Sequence, residues 1–323
     1  GSTVVEPEER DREEPEERDR EDDDSAVGER ASERYEGTAI GVVVPAYNEA
    51  EHVGEVLEDI PSFVDRIYAV DDASRDDTWA EIRRRASTDG DPRTDGGQMV
   101  DPRIVPLRHA ENRGAGAALR TGYQRALAED MDVTVAMDAD GQMDPDQVPA
   151  LLDPIVDGPA DYAKGNRLAD PEYREAMPPF RQFGNWLLTL LTKVASGYWK
   201  TMDPQNGFTA VSGEALEAID LEALPDGHDY TNDLLVRLNV ADLRVADVAM
   251  PAVYGEEEST ITYSRFVPAT STTLLRSFLW RLRRRYLVRD FHPLAFSYGA
   301  GAASALGGLL LGVDALRHRR KDG

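Results

Sequence analysis

Val133-Thr134-Val135-Ala136-Met137-Asp138-Ala139-Asp140-Gly141-Gln142 sets a short run fit for burial directly against two carboxylates and an amide. Five small or apolar residues closed by a Gly-containing turn predict a buried strand over 133–137. Asp138 and Asp140, separated by one small residue, can both turn toward a single hard cation at the strand end, with Gln142 as a further oxygen donor. Mg²⁺ or Mn²⁺ held this way keeps positions open for diphosphate oxygens. In so acidic a chain an ordinary Asp-rich turn is the other reading of Asp-x-Asp. The surroundings decide between them.

Upstream, short apolar runs alternate with longer amphipathic ones. Strands are expected at 39–44, 66–70 and 104–107, and helices at 49–60, 78–85, 116–128 and 146–156. This βαβ series predicts an α/β fold with a mostly parallel, Rossmann-like sheet and helices on both faces. Ligands in such sheets bind at the carboxyl ends of the strands. Pro45-Ala46-Tyr47-Asn48-Glu49 follows the first strand and Asp71-Asp72-Ala73-Ser74-Arg75-Asp76-Asp77-Thr78 the second, so both fall on the same rim as Asp138 and Asp140. Gly114-Ala115-Gly116 lacks the third glycine of a dinucleotide fingerprint and follows the third strand, so it reads as a site of close helix packing and hydride chemistry is not expected.

The chain of 323 residues has 61 acidic and 36 basic residues, no cysteine and a net charge of −25. Thiolate metal sites, disulfides and cysteine nucleophiles are excluded. Only four of the basic residues are lysine: Lys164, Lys193, Lys200 and Lys321. An acidic, lysine-poor surface stays hydrated in concentrated salt, which predicts a halophilic archaeal source, an ordinary acidic cytosolic protein being the alternative. No basic stripe suited to a phosphate backbone is present, so no nucleic acid is expected as partner. Residues 1–36 form an expected disordered acidic tail, with 13 acidic and 4 basic residues between Glu6 and Asp24. A charge of −16 persists without that stretch, so the folded part is itself acidic. Residues 87–101, rich in Gly, Asp and Pro, are expected to be a surface loop.

Beyond residue 171 the pattern changes. Pro178-Pro179 can open a helix whose Phe180, Phe183, Trp186, Leu187, Leu190 and Leu191 form a face suited to packing on the sheet. Strands are expected at 208–211 and 243–248, and a helix from Tyr230. Residues 263–290 are expected to form an amphipathic juxtamembrane helix, with Leu274, Leu275, Phe278, Leu279, Leu282 and Tyr286 on one face and Arg281, Arg283, Arg284 and Arg285 placed for anionic head groups. Residues 291–316 form the expected membrane segment, of which Pro293 to Val313 is 21 residues without a charge. Five glycines in that run weaken its insertion energy, and a buried soluble helix is the other reading. Residues 317–323 are a basic tail. Basic residues flank the segment on both sides, so no single-pass topology follows. No N-terminal signal peptide is visible, which leaves the catalytic domain expected on the cytoplasmic side of the cell membrane.

Six ordered motifs carry a resemblance from about Ala39 to Ile261: Val44-Pro45-Ala46-Tyr47-Asn48-Glu49, Val70-Asp71-Asp72-Ala73-Ser74 with Asp77-Thr78, Asn112-Arg113-Gly114-Ala115-Gly116, Asp138-Ala139-Asp140-Gly141-Gln142, Gly165-Asn166-Arg167, and Asp203-Pro204-Gln205-Asn206-Gly207-Phe208. Together they resemble the family 2 glycosyltransferases, specifically the polyprenyl-phosphate branch that includes dolichyl-phosphate mannose and glucose synthases. The resemblance implies a GT-A fold over residues 37–262. It implies that Pro45, Tyr47 and Glu49 line the nucleotide pocket together with Gly114, and that Asp72 contacts the base or ribose. It also implies that Asp138 and Asp140, assisted by Gln142, hold Mg²⁺ or Mn²⁺ on the donor diphosphate. Arg167 then faces the donor or acceptor phosphate, a structural ion pair being its other reading. One departure stands out: Tyr254-Gly255-Glu256-Glu257-Glu258-Ser259-Thr260 is acidic where the mannose synthases usually carry a basic patch.

The resulting expectation is inverting transfer of a hexose from a nucleotide-diphosphate sugar, UDP-glucose or GDP-mannose, to dolichyl or another polyprenyl phosphate at the membrane. A phosphate acceptor is already anionic and needs no strong base. The alternative acceptor is a hydroxyl of a lipid-linked glycan or surface polysaccharide, which needs deprotonation, with Asp233 as candidate base. Asp233 can equally be a first-turn partner of the helix dipole. A membrane-anchored binding module without turnover is the third reading, and the Asp138/Asp140/Gln142 set argues against it.

Overall fold

In the computed structural model, residues 33–89, 102–169, 179–251 and 263–319 are described. Most of the expected acidic tail, most of the 87–101 loop, the acidic 254–260 segment and the last residues of the basic tail lie outside them. The tail does not reach residue 36: Tyr35 is buried, and its hydroxyl donates to Asp153 Oδ1 at 2.7 Å. An aromatic ring with a hydrogen-bonding partner makes Tyr35 part of the fold.

Seven strands form one sheet: β1 (Ile40–Ala46), β2 (Arg66–Asp71), β3 (Ile104–Arg108), β4 (Val133–Ala136), β5 (Tyr162–Asn166), β6 (Thr209–Ser212) and β7 (Val245–Ala249), in spatial order β3-β2-β1-β4-β6-β5-β7. All pairings are parallel except those of β6, which runs against both β4 and β5. β5 was not expected. Its sequence Tyr162-Ala163-Lys164-Gly165-Asn166 interrupts any apolar run with a lysine, yet all five residues are buried.

Helices cover both faces. On one, α1 (Val53–Asp59), α2 (Thr78–Asp89) and α4 (Val148–Val156) meet Ile40, Val42 and Val44 of β1. On the other, α3 (Ala115–Ala128), α6 (Gly213–Ala218) and α7 (Tyr230–Val240) meet Val43 and Tyr68. The alternation of β1 between two cores is the period-2 signature of a strand buried on both sides. The chain steps from β1 outward through β2 to β3 and then crosses back to place β4 on the other side of β1, so a crevice opens at the carboxyl ends of β1 and β4.

α5 (Pro179–Ser196) does not pack on the sheet as its apolar face suggested, because α3, α6 and α7 already cover that side. It lies outside α7 and against α8 (Tyr263–Arg281), through Leu188, Ala195, Val236 and Leu274. Trp186, Leu187, Leu190 and Leu191 stay exposed. α8 continues as a π-helical stretch over Leu282–Arg289 before α9 (Leu294–Arg319). Its residues divide in a way the helical pattern did not show: Leu274 and Phe278 face α5 and α7, while Leu275 and Leu279 stay exposed. Arg281 is buried, donating to the Val194 carbonyl, and Arg285 holds Asn239 Oδ1 at 2.9 Å, so these two are not free for head groups. Arg283 and Arg284 remain exposed. Leu294–Gly312 of α9 has a mean hydropathy of 1.5 and little burial, and it is the one helix among the described residues long and apolar enough to cross a membrane.

Candidate active site

The carboxyl rim of the sheet carries an open cleft of about 790 Å³. Its walls include Pro45 at the end of β1, Tyr47 and Glu49 after it, Asp72 after β2 and Gly114 before α3. Asp138 and Asp140 after β4 face them, with Arg167 after β5. A smaller pocket of about 80 Å³ adjoins it, where Gln142 joins Asp138, Asp140 and Arg167. One candidate lies elsewhere: Asp233.

The loops of the rim are tied to each other. Asn48 adopts a left-handed φ of 58°, its N–H donates to Ser74 Oγ at 2.9 Å, and its Oδ1 accepts from the Arg75 N–H at 2.9 Å. The Glu49 N–H donates to Thr78 Oγ1 at 2.8 Å. The first two motifs are thus one cross-linked structure, which orients Tyr47 and Glu49 at the cleft.

Asp72 is buried, and the main-chain N–H groups of Arg113 and Gly114 donate to its carboxylate at 2.9 and 2.7 Å. His109 Nδ1 lies 2.6 Å from Oδ1, and the other ring nitrogen lies 2.9 Å from Thr121 Oγ1. The visible work of Asp72 is to hold the 112–114 loop at the cleft. Gly114 has φ +98°, and a side chain there would meet the Asp226 carbonyl at 2.5 Å; at Gly116 it would meet that of Pro225 at 2.3 Å. The two glycines admit the 225–228 loop onto the start of α3, the close packing expected of them.

Asp138 is pushed up to about 7, first by burial and then by the Asp140 charge, with Arg167 opposing. Asp140 Oδ1 accepts from the Gln142 N–H at 3.0 Å, which closes the turn, and Gly141 supplies φ +71°. At Gly207 a side chain would lie 3.2 Å from Asp138 Oδ2 and 3.5 Å from the Tyr230 hydroxyl, so glycine keeps the carboxylate accessible. Two neighbouring, partly desolvated carboxylates beside an amide are a hard-oxygen donor set that a divalent cation would relieve of its repulsion. Among the described residues no group of three or more His, Asp or Glu is placed to hold a metal ion.

Arg167 is both a cleft residue and an ion-pair partner. Its Nε donates to Asp203 Oδ2 at 2.8 Å and Nη2 to Oδ1 at 3.2 Å. Burial pushes the Asp203 carboxyl up, but the guanidinium outweighs it and holds the group below its usual range. The pair fixes the plane of the guanidinium toward the cleft.

Asp233, the candidate base, turns away from the rim. Arg237 Nε donates to its Oδ2 at 2.6 Å and Ser277 Oγ of α8 to its Oδ1 at 2.6 Å. One oxygen is held by the next turn of α7 and the other ties α7 to Ser277 of α8, and Asp233 is not among the residues that line the cleft. Gln205 of the Asp203–Phe208 motif lines the cleft, as do Tyr230 and Thr231 at the helix start, which were not named as site residues; His228 had no pattern to betray it. Lys164 was also missed, although a lone lysine within a strand of a lysine-poor chain was a usable signal.

α5 and α8 add Leu187, Leu188, Leu191 and Leu274 to the lining of the cleft, beside Asn185, Thr270 and Ser271 of the same helices. It runs onto the exposed apolar residues of the same two helices.

The Glycosyl transferase family 2 profile matches residues 41–220. The chain is 27% identical over 218 residues to the UDP-N-acetylglucosamine–dolichyl-phosphate N-acetylglucosaminyltransferase of Methanococcus voltae, covering 67% of this chain and 86% of the relative. It is 29% identical over 223 residues to the undecaprenyl-phosphate mannosyltransferase of Micrococcus luteus, covering 67% and 83%. Among solved structures, glucosyl-3-phosphoglycerate synthase from Mycobacterium tuberculosis, in complex with Mn²⁺, UDP and phosphoglyceric acid, superposes with a TM-score of 0.54 at 21% identity, covering 79% of this chain and 82% of that one. That likeness is one of fold.

Proposed function

The chain belongs to glycosyl transferase family 2, and from that premise we propose that it transfers a sugar from a nucleotide-diphosphate donor to dolichyl or another polyprenyl phosphate at a membrane surface. The observation that carries the reading is the mixed lining of the cleft: carboxylates and an arginine from the strand rim, leucines from α5 and α8. A donor diphosphate suits the first and the start of an isoprenoid chain the second. The relatives named above, by their names, act on dolichyl and undecaprenyl phosphates.

On this reading the 45–49 and 112–114 loops hold the nucleotide, and Asp138, Asp140 and Gln142 would hold Mg²⁺ or Mn²⁺. Such an ion, when bound, supplies Lewis-acid stabilisation of the departing diphosphate. Arg167, its plane set by Asp203, offers N–H groups to phosphate oxygens and stabilises charge where it accumulates. The acceptor phosphate attacks as an anion, so the cleft needs no general base, which agrees with Asp233 being engaged elsewhere. Direct attack on the anomeric carbon gives inversion. The apolar faces of α5 and α8, with α9 as anchor, would keep the cleft at the head-group layer on the cytoplasmic side.

The test is transfer of labelled sugar from UDP-glucose, GDP-mannose or UDP-N-acetylglucosamine to dolichyl phosphate in high salt, with Mn²⁺ or with EDTA, for wild type and Asp140→Ala. Labelled lipid that requires metal and is lost in the variant is the expected result, and the productive donor identifies the nucleotide. Transfer only to a glycan hydroxyl would replace the acceptor, and product indifferent to EDTA and to the substitution would refute the metal-assisted mechanism.

A further inference from the structure

Lys164 is fully buried in the middle of β5 and lines no part of the cleft. Its Nζ donates to the main-chain carbonyls of Gly165 and Met202, each at 3.1 Å, and to that of Asp203. Three ammonium N–H groups thus meet three carbonyls. The loop they hold is the one on which the site depends. Asp203 sits at φ +45°, in the left-handed region, and grips Arg167 through its carboxylate. Gln205 and Gly207, a few residues on, line the cleft.

We propose that Lys164 is a positioning residue: by holding the 202–203 carbonyls its ammonium sets the Asp203 carboxylate, and through it the Arg167 guanidinium, so that loss of the Lys164 proton disengages Arg167 and lowers transfer at alkaline pH. A neutral amine keeps two N–H groups and turns a lone pair toward the third carbonyl, which converts one attraction into a repulsion in a buried place. Burial brings this lysine down to about 8, against the pull of Asp203 and Asp247, with Arg167 adding to the lowering. Those are the charged groups that face it: Asp203 from the loop, Asp247 from β7 and Arg167 beyond β5. From β6 its register partner is the neutral Thr209. The sign follows from the charges. The ammonium is present, and the loop held, below about pH 8, and both are lost above it.

Asp247 offers a conservative handle. Its Oδ1 accepts from the Met202 N–H at 3.0 Å and its Oδ2 from Asn166 Nδ2 at 2.6 Å. In Asp247→Asn one oxygen still serves Met202, and the new amide can donate to Asn166 once that side chain turns over, because Asn166 Oδ1 is buried without a partner. The substitution keeps the packing and removes a negative charge, so it shifts the Lys164 titration to lower pH.

The experiment is a pH titration of full-length protein carrying ¹⁵N/¹³C-labelled lysine and arginine, read by NMR, for wild type, Lys164→Arg and Asp247→Asn. With four lysines in the chain, four Nζ signals are assignable by loss. The expected result is that the signal absent from Lys164→Arg titrates near pH 8, that the Arg167 Nε–H resonance moves with the same midpoint, and that both midpoints fall in Asp247→Asn. Turnover rests on the lipid-phosphate reading above; there the wild-type rate drops about tenfold per pH unit above the midpoint, follows the shift in Asp247→Asn, and loses this limb in Lys164→Arg. A Lys164 signal protonated beyond pH 10, or an Arg167 resonance indifferent to the Lys164 midpoint, overturns the proposal. If no donor yields product, the transferase reading fails and the Arg167 resonance still decides this one.

Discussion

Replacing Asp72 separates a residue that holds a loop from one that reads a ligand. Asp72→Ala removes both oxygens and leaves the Arg113 and Gly114 N–H groups and the His109 ring without their acceptor. Arg113 is exposed, so water reaches its N–H; the Gly114 N–H and the nearly buried imidazole are the ones that suffer. At ~1–3 kcal/mol for each unsatisfied buried donor, the loss is about 3 kcal/mol. In a domain of this size that lowers the melting temperature by about 6–12 °C. Asp72→Asn behaves differently. Its oxygen can keep Gly114 and Arg113 while its amide donates to His109 Nδ1. The ring then carries its proton on Nε2 and donates to Thr121 Oγ1, whose own hydroxyl is directed at the Ala117 carbonyl. Only charge assistance is lost, about 1 kcal/mol. Thermal melts in high salt, with calorimetric titration of UDP or GDP, measure both effects. Nucleotide affinity should fall with stability in the alanine variant and stay near wild type in the asparagine variant. An asparagine variant that melts as low as alanine, or an alanine variant within about 2 °C of wild type, would refute the network.

Further outcomes follow from the same geometry. Gly116→Ala should destabilise by ~1–3 kcal/mol, reduced by up to ~1 kcal/mol of helix propensity, since its methyl meets two backbone carbonyls, whereas Gly184→Ala, which meets nothing within 4 Å, should be neutral or stabilising; equal melts for the two would contradict the packing. Because protons compete with a cation for Asp138, whose carboxyl is raised to about 7, Mn²⁺ affinity should weaken about fivefold from pH 7 to pH 6, and a flat profile in a Mn²⁺ titration would rule out that carboxylate as ligand. Without metal the sign for stability is opposite: the folded state retains this proton, so stability is lost as pH rises through about 7, and Asp138→Asn should melt higher than wild type at pH 8 while losing Mn²⁺ binding. Asp233→Asn should keep wild-type kcat and lower stability by ~1–2 kcal/mol, as expected of a residue tied to Arg237 and Ser277; a hundredfold drop in kcat at unchanged stability would restore it as a base.

Much of this was legible because the chemistry sits where the hydrophobic pattern breaks. β1, β2 and β4 are runs buried on both sides, and each ends at a polar cluster, so the pattern alone places the rim and its carboxylates. What escaped reading depends on partners distant in sequence. β5 was hidden by Lys164, whose charge is accommodated by carbonyls of the 202–203 loop that no local pattern announces. The apolar stripe of α5 was visible, but which surface it met was not, since that depended on three other helices having claimed the sheet. Asp233 looked available until α8 supplied Ser277. The spacing of a carboxylate on a helix fixes its direction, and only the neighbouring element decides what it finds there.

β6 has a geometric consequence of another kind. A strand running with the sheet presents its exit to the catalytic rim; the one reversed strand presents its entrance. The segment leading into β6, with Asp203 and Gly207, therefore emerges beside the segment leaving β4, with Asp138 and Asp140, although a helix, a strand and a long further helix separate them along the chain. β6 is also the seam that joins β5 and β7 to the rest of the sheet. A growing polypeptide that has completed β4 already carries both carboxylates, but the opposite wall of the cleft is made only when the reversed strand follows, so the two walls meet late in the chain.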